Sequence, residues 1–349
     1  MGHTLYGSFI LRALKLDKHV FPEKIRVSIG SAAVLGLLEC KLDVSPTTVH
    51  LMTCNSTPCL ANCSFCSQAK KSSSDSALLS RISWPEFKMY TVITKIKEAY
   101  LNGIVNRVCI QALNYFGVFN HLNAVVYLIK SFSSIPISVS CQPDNRENIL
   151  HLAYWGADRI GIPIDVATKK LFADIKGENV GGPYVWEIQF EKLRTAIDIF
   201  GKGNVSTHLI VGLGESEKEV LVLIQNLKDL GVISALFAFT PIRGTLLEKL
   251  DQPSVESYRR IQLAKYLIDN EIVSFNQFCF NNNDQLCSYG VDKLILRKIV
   301  EFGTPFRTSG CPDCNRPFYN ERPSGPLFNF PRDLKTIEIV KIKQLLDLE

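Results

Sequence analysis

The chain has 349 residues, 46% hydrophobic and 21% charged, which suits one large domain or two ordinary ones and excludes a disordered chain. Its net charge of +5 is dispersed, with no long Lys/Arg run and no basic stripe interleaved with aromatics, so no nucleic-acid partner is expected. No apolar run reaches the roughly 18 residues that span a bilayer, and the start MGHTLYGSFILRALKLD lacks a signal-peptide cleavage pattern, so the expected location is the cytoplasm, without membrane insertion or export.

Residues 1–44 read as a helical N-terminal segment, with apolar stretches at Phe9–Leu16 and Ile29–Leu38. TVHLMT, Thr48–Thr53, is a short buried strand, and a cysteine-rich loop follows it directly. Ser72–Leu79 is Ser-rich and reads as a mobile surface loop. Ser83-Trp84-Pro85-Glu86 has the pattern of a capping box with Pro near the helix start. Met89, Val92, Ile93, Ile96 and Tyr100 follow at helical spacing, and Gly103 ends that helix. From there strands and helices alternate. NRVCIQA, IPISVSC, DRIGIP, NVSTHLIVG, ISALFAF and IVSFNQF are strand-like, with helices between them ending in Val255–Asn270 and Val291–Phe302. Some seven strands separated by helices imply a parallel sheet. The count favours a (β/α) TIM-type barrel, full or nearly full, over residues 45–303; an open doubly wound sheet is the alternative. Residues 304–349 form an irregular cysteine-containing tail that ends in an amphipathic helix at Ile337–Leu348.

In a barrel, reactive residues sit at the C-terminal ends of strands. The Cys59–Cys66 loop, Cys109–Gln111, Cys141–Gln142, Asp165 and Gly212–Glu215 all fall at such ends. The eleven cysteines are an odd number and form no disulfide framework of a small secreted chain. In a reducing compartment they are core residues, metal ligands or nucleophiles. Within PCLANCSFCSQAKK, Cys59, Cys63 and Cys66 are spaced C-x3-C-x2-C. Zinc takes four ligands, usually from two separated pairs. Three thiolates on one loop instead suit an iron–sulfur cubane with one iron open to a small chelating molecule. Cys311 and Cys314 make a second C-x2-C in a Gly/Pro-rich loop, a geometry that also serves structural zinc. Cys40, Cys54, Cys279 and Cys287 stand alone and are expected in the core.

The C-x3-C-x2-C loop, with Phe65 before its last cysteine and a strand before its first, resembles the signature of the radical S-adenosylmethionine (SAM) superfamily. That resemblance implies a [4Fe–4S] cluster on Cys59, Cys63 and Cys66, with SAM on the open iron. HLIVGLGES is similar to the stretch of biotin synthase whose backbone contacts adenine, which implies SAM contacts at Gly212, Gly214 and Glu215. Asp165 falls where biotin synthase has a ribose-binding Asp, and it also suits an N-cap. Gln111 and Asn114 lie where the superfamily contacts the methionyl amine. Cys109 and Cys141 resemble ligands of biotin synthase's second cluster, but His208 stands in the neighbourhood of its third. Cys311 and Cys314 would replace the missing ligands if the tail folds over the barrel mouth, giving a second [4Fe–4S] cluster on Cys109, Cys141, Cys311 and Cys314.

CLANCSFCSQAK, RVCIQAL, ISVSCQPD, HLIVGLGE and GCPDCNRPFYNERPSG together resemble the biotin-synthase-like proteins of the archaeal two-protein lipoyl synthase. The implied activity is a sulfurtransferase: sulfur insertion into a protein-bound octanoyl or mercapto-octanoyl chain, with the second cluster as sulfur donor. The implied partners are an octanoylated lipoyl-carrier protein, a second synthase subunit and an electron donor such as ferredoxin. Arg307, Arg316 and Arg322 in the tail are candidates to position cluster or substrate. Biotin synthase itself, a radical SAM enzyme whose second cluster only transfers electrons, and a non-catalytic iron–sulfur scaffold are the alternatives.

Overall fold

A computed structural model describes residues 21–349. The helical expectation for residues 1–20 lies outside the described residues. The central sheet has eight strands. Six are parallel: β2 (Thr48–Met52), β6 (Arg107–Gln111), β7 (Ile137–Ser140), β8 (Arg159–Gly161), β9 (Val205–Val211) and β10 (Ile233–Ala238). Two antiparallel strands extend the β2 side, β1 (Lys24–Val27) against β2 and β5 (Glu86–Lys88) against β1. The order is β10-β9-β8-β7-β6-β2-β1-β5, with no hydrogen-bonded closure between β10 and β5. The sheet is therefore compatible with a barrel but open along one side.

The parallel strands are short and apolar on the side that meets the helices, as expected for strands covered by crossover helices. α2 (Met89–Leu101), α3 (Val118–Phe132), α4 (Arg146–Trp155), α6 (Trp186–Phe200), α7 (Glu217–Leu230) and α8 (Val255–Asp269) supply that cover. α7 shows how the sequence makes such a helix. Ser216 and Glu219 cap its start reciprocally, and Gly231 ends it in a left-handed turn. Val220, Leu221, Ile224 and Leu227 bury one face, each contributing about 1.5–3 kcal/mol.

Four local expectations are corrected. Within residues 21–44, β1 precedes a short helix, α1 (Ile29–Val34), because Lys24–Val27 finds strand partners on both sides. Glu86–Lys88 pairs with β1, so α2 starts at Met89, with Lys88 and not Ser83 at its N-cap. Phe275–Gln277 is a single 3-10 turn capped by Ser274 rather than a seventh parallel strand. The Ser-rich stretch is tied down: Ser73 N–H and Ser72 Oγ donate to the Gly244 carbonyl, and Leu78–Leu79 (β3) pairs with Ile82–Ser83 (β4). The helix for which Asp165 suited an N-cap, α5 (Lys169–Ile175), is capped by Thr168 instead. The small hairpin β11 (Cys279–Phe280) and β12 (Leu286–Ser288) precedes α9 (Lys293–Phe302), and α10 (Thr336–Leu345) ends the chain.

The tail between α9 and α10 occupies the open side of the sheet. Ser309 Oγ accepts from Leu236 N–H, and Thr240 Oγ1 donates to the Asn320 carbonyl, so β10 is partnered there. On the other side Asn315 Oδ1 accepts from Thr47 N–H at 3.0 Å, and Ser80 Oγ donates to the Tyr319 carbonyl. The segment thus runs from the unpaired β10 edge to the residue before β2 and the β3–β4 turn, covering an edge that would otherwise stay unpaired.

Candidate functional site

The loop after β2 is wound around one side chain. Asn62 Oδ1 accepts from Lys71 N–H at 3.0 Å and its amide donates to the Val180 carbonyl. Ser64 N–H donates to the Ile175 carbonyl at 2.8 Å, which ties the loop to the end of α5. Cys66 N–H donates to the Cys63 carbonyl at 3.0 Å, so the last two thiols flank a tight turn. Asn114 N–H points at Cys59 Sγ from 3.3 Å, and Asn114 Nδ2 donates to the Tyr184 hydroxyl.

These thiols share their surroundings with one buried ion pair. Lys176, 2% exposed, donates to Asp165 and to the Pro163 carbonyl, with its ammonium 5.1 Å from the Tyr184 ring centroid. Burial pushes the Cys66 thiol up to about 12 and Cys63 higher still; the Lys176 charge only partly offsets this. Asp165 has a left-handed backbone (φ +72°) and bridges to Leu209, accepting from Ile210 N–H. A non-glycine residue held there stores strain, a feature that clusters at ligand sites.

A second thiol group lies further down the same interior. Gln111 Nε2 donates to Cys109 Sγ at 3.1 Å. Ser138 Oγ donates to Cys311 Sγ at 3.3 Å, and Cys314 N–H donates to the Cys311 carbonyl at 3.3 Å, the same turn as at Cys63–Cys66. Burial raises Cys109 and Cys314, and the neighbouring thiols add to the rise at Cys109. A cavity of about 220 Å³ joins the two regions, lined by Phe65, Cys66 and Asp165 and by Cys109, Cys311 and Cys314. Its walls also carry Gln111, His208 and Arg316, the last stacked 3.7 Å from the Phe237 ring centroid.

The structure does not bring Cys141 to this group. Strand side chains alternate between faces. Ser138 and Ser140 take the inner face of β7, so Cys141 falls with Ile137 and Val139 against the helices, where Lys192 and Asp144 are the charges that reach it. Gly212, Gly214 and Glu215 do not line the cavity either. Glu215 instead closes its own turn, accepting from Gly212 N–H at 2.6 Å and Leu213 N–H at 3.0 Å. Arg307 pairs with Asp333 at the surface. Cys40, Cys279 and Cys287 are exposed rather than in the core, and Cys54 is half-buried beside Glu86. Lys176, Tyr184 and His50 were missed because none belongs to a spaced motif, and Tyr319 because its place within GCPDCNRPFYNERPSG does not say where its ring points; β2's alternation, with Thr48 and His50 on the inner face, was the available signal for His50.

No protein-family model matches the sequence, and no curated protein matches it. Among solved structures the chain resembles methylornithine synthase (PylB), with a TM-score of 0.50 at 13% identity over 69% of this chain and 67% of that one. It also resembles HydG, a maturase of the [FeFe]-hydrogenase (TM-score 0.48, 14% identity, 73% of this chain and 62% of that one). A third likeness is to coproporphyrinogen III oxidase (HemN) from Escherichia coli, a radical SAM enzyme (TM-score 0.37, 14% identity, 64% of this chain and 53% of that one). The first shows a shared fold; the other two are too distant to add to it. None of the helices among the described residues is long and apolar enough to cross a membrane.

Proposed function

We propose that the chain is a radical SAM enzyme that inserts sulfur into a protein-bound octanoyl or mercapto-octanoyl chain, like a subunit of the archaeal two-protein lipoyl synthase. The single observation that carries this reading is that one cavity is lined by Phe65 and Cys66 of the C-x3-C-x2-C loop and by Cys109, Cys311 and Cys314. The fold shared with methylornithine synthase supports it.

The donor chemistry fits iron–sulfur centres. Buried thiols whose ionisation is opposed by burial need a cationic group to become thiolates, and a metal centre supplies that charge. Among the described residues no three His, Cys, Asp or Glu side chains stand close enough to share a single metal ion. A multi-iron centre takes its thiolates on separate corners. Cys59, Cys63 and Cys66 would hold the first centre, with Cys109, Cys311 and Cys314 contributing to the second. When bound, these centres supply one-electron cleavage of SAM, and with it a hydrogen-abstracting radical, and a sulfide donor.

The chain's own residues bind, orient and exclude water. Lys176 occupies Asp165 Oδ2 and leaves Oδ1 for a ribose hydroxyl. Phe65, Leu79, Trp84, Ile210 and Phe237 give the cavity apolar walls suited to a saturated chain. Tail segment and β10 shut the open side of the sheet against solvent.

The test is anaerobic incubation of iron- and sulfide-reconstituted protein with SAM, a reductant, a second synthase subunit and an octanoylated or mercapto-octanoylated lipoyl-domain peptide. The expected result is 5′-deoxyadenosine together with a peptide that has gained sulfur. No 5′-deoxyadenosine would leave a non-catalytic scaffold. 5′-Deoxyadenosine without a sulfur-bearing product would leave an enzyme whose second centre only passes electrons.

A further inference from the structure

With Cys141 on the far face of β7, the second thiol group holds three cysteines. We propose that His50 is its fourth protein ligand, so that the centre is bound by Cys109, Cys311, Cys314 and His50. This rests on the reading that the second group holds an iron–sulfur centre.

Sheet register makes the placement. His50 on β2 is the direct partner of Cys109 on β6 in the parallel ladder, and both line the same cavity. The tail then brings Cys314 to the imidazole, with Cys314 Sγ 3.7 Å from His50 Nε2. The side chain is 2% exposed, and its Nδ1 has no hydrogen-bond partner. Three other residues on the cavity wall share that condition: Thr48 Oγ1, Arg107 Nε and the Tyr319 hydroxyl are also buried without partners. Buried polar atoms are nearly always satisfied, so four orphans around one cavity mark a place where a polar or charged group belongs. The imidazole is held by its surroundings. Its backbone N–H donates to Ser31 Oγ at 2.9 Å, and the Tyr319 ring lies 5.0 Å from its own.

A neutral imidazole in place of a fourth thiolate makes a centre less negative, and such replacement raises reduction potentials. The three-thiolate, one-histidine set therefore predicts a second centre that is easier to reduce than an all-cysteine one.

The experiment uses the full chain carrying Cys59→Ala, Cys63→Ala and Cys66→Ala, so that only the second centre can form. The protein is produced with 15N-histidine or with natural-abundance histidine, reconstituted anaerobically with iron and sulfide, reduced, and examined by pulsed electron paramagnetic resonance. The expected result is about four irons per chain and a nitrogen coupling that changes with the isotope and is absent in His50→Ala. His50→Cys should keep the iron, lose the nitrogen coupling and shift the potential downward; it also serves if the alanine variant fails to fold. A centre that forms without histidine nitrogen coupling overturns the proposal alone. So does one that survives His50→Ala with its coupling intact, or one that survives His50→Ala but is lost on Cys141→Ser. Absence of iron from the triple-alanine chain overturns both the ligand assignment and the second centre itself.

Discussion

Lys176 carries an ammonium group into the interior beside Asp165, and each charge is tolerable only because of the other. Replacing Lys176 by Met leaves a buried carboxylate unpaired and should cost about 3–5 kcal/mol in denaturant unfolding of the metal-free protein. Adding Asp165→Asn to that variant should recover much of the loss. A single variant within about 1 kcal/mol of the wild type would mean the pair does not hold that corner. His208 titrates in the opposite sense from a salt-bridged histidine. Burial pushes it down to about 4, with the Asp165 charge opposing the fall. Unfolded, the ring takes a proton near pH 6.5; folded, it stays neutral until about pH 4. Its contribution is thus present above pH 6.5 and lost as pH falls from 6.5 toward 4. Comparing unfolding at about pH 7 and pH 5, His208→Gln should remove about 2 kcal/mol of the decline. An equal decline in both proteins would refute the assignment. At the first thiol group, Cys63→Ala should lower bound iron by about four per chain and abolish 5′-deoxyadenosine formation.

Elements set the faces on which these residues appear. In β6 the odd positions 107, 109 and 111 look into the cavity, whereas in β7 the even position 138 reaches Cys311, so cysteines at odd positions of the two neighbouring strands part company. Gly212, at the end of β9, shows what a turn demands. Its φ is +105°, and a Cβ there would lie 2.6 Å from the Pro253 ring. Gly117, just before α3, has φ +84° and ψ +6° with open space around it. Alanine at Gly117 should cost about 1 kcal/mol from backbone strain alone. Alanine at Gly212 should cost clearly more, about 2–4 kcal/mol, because strain and overlap add. Thermal unfolding of the two variants measures the difference, and equal midpoints would show that the β9 turn simply relaxes. The HLIVGLGE stretch was legible as a strand followed by a glycine turn; that Glu215 folds back onto that turn's amides was not, because the contact depends on side-chain direction.

The whole molecule is an open sheet completed by its own tail. Arg259 of α8 is 2% exposed and donates to the carbonyls of Leu327 and Phe328, and Gln262 Nε2 donates to Phe328 as well. These contacts press the tail against the β10 side and so carry Cys311 and Cys314 to Cys109. Arg259→Ala should therefore release the tail, making residues 304–332 more open to limited proteolysis and lowering stability by about 3 kcal/mol or more. Unchanged proteolysis would separate the clamp from the tail's position. The open side also explains the strand count: six parallel strands suffice because an irregular segment fills the remaining arc.

By itself the sequence determined the alternation of strands and helices and the grouping of Cys59, Cys63 and Cys66. Those follow from local rules: hydrophobic period and contiguity along one loop. Tertiary structure alone decided that β1 and β5 extend the sheet, that Cys141 turns outward, and that His50 meets Cys314 across 264 positions of chain. Such outcomes depend on register between strands and on where the tail lands, and neither is written in any short window of residues.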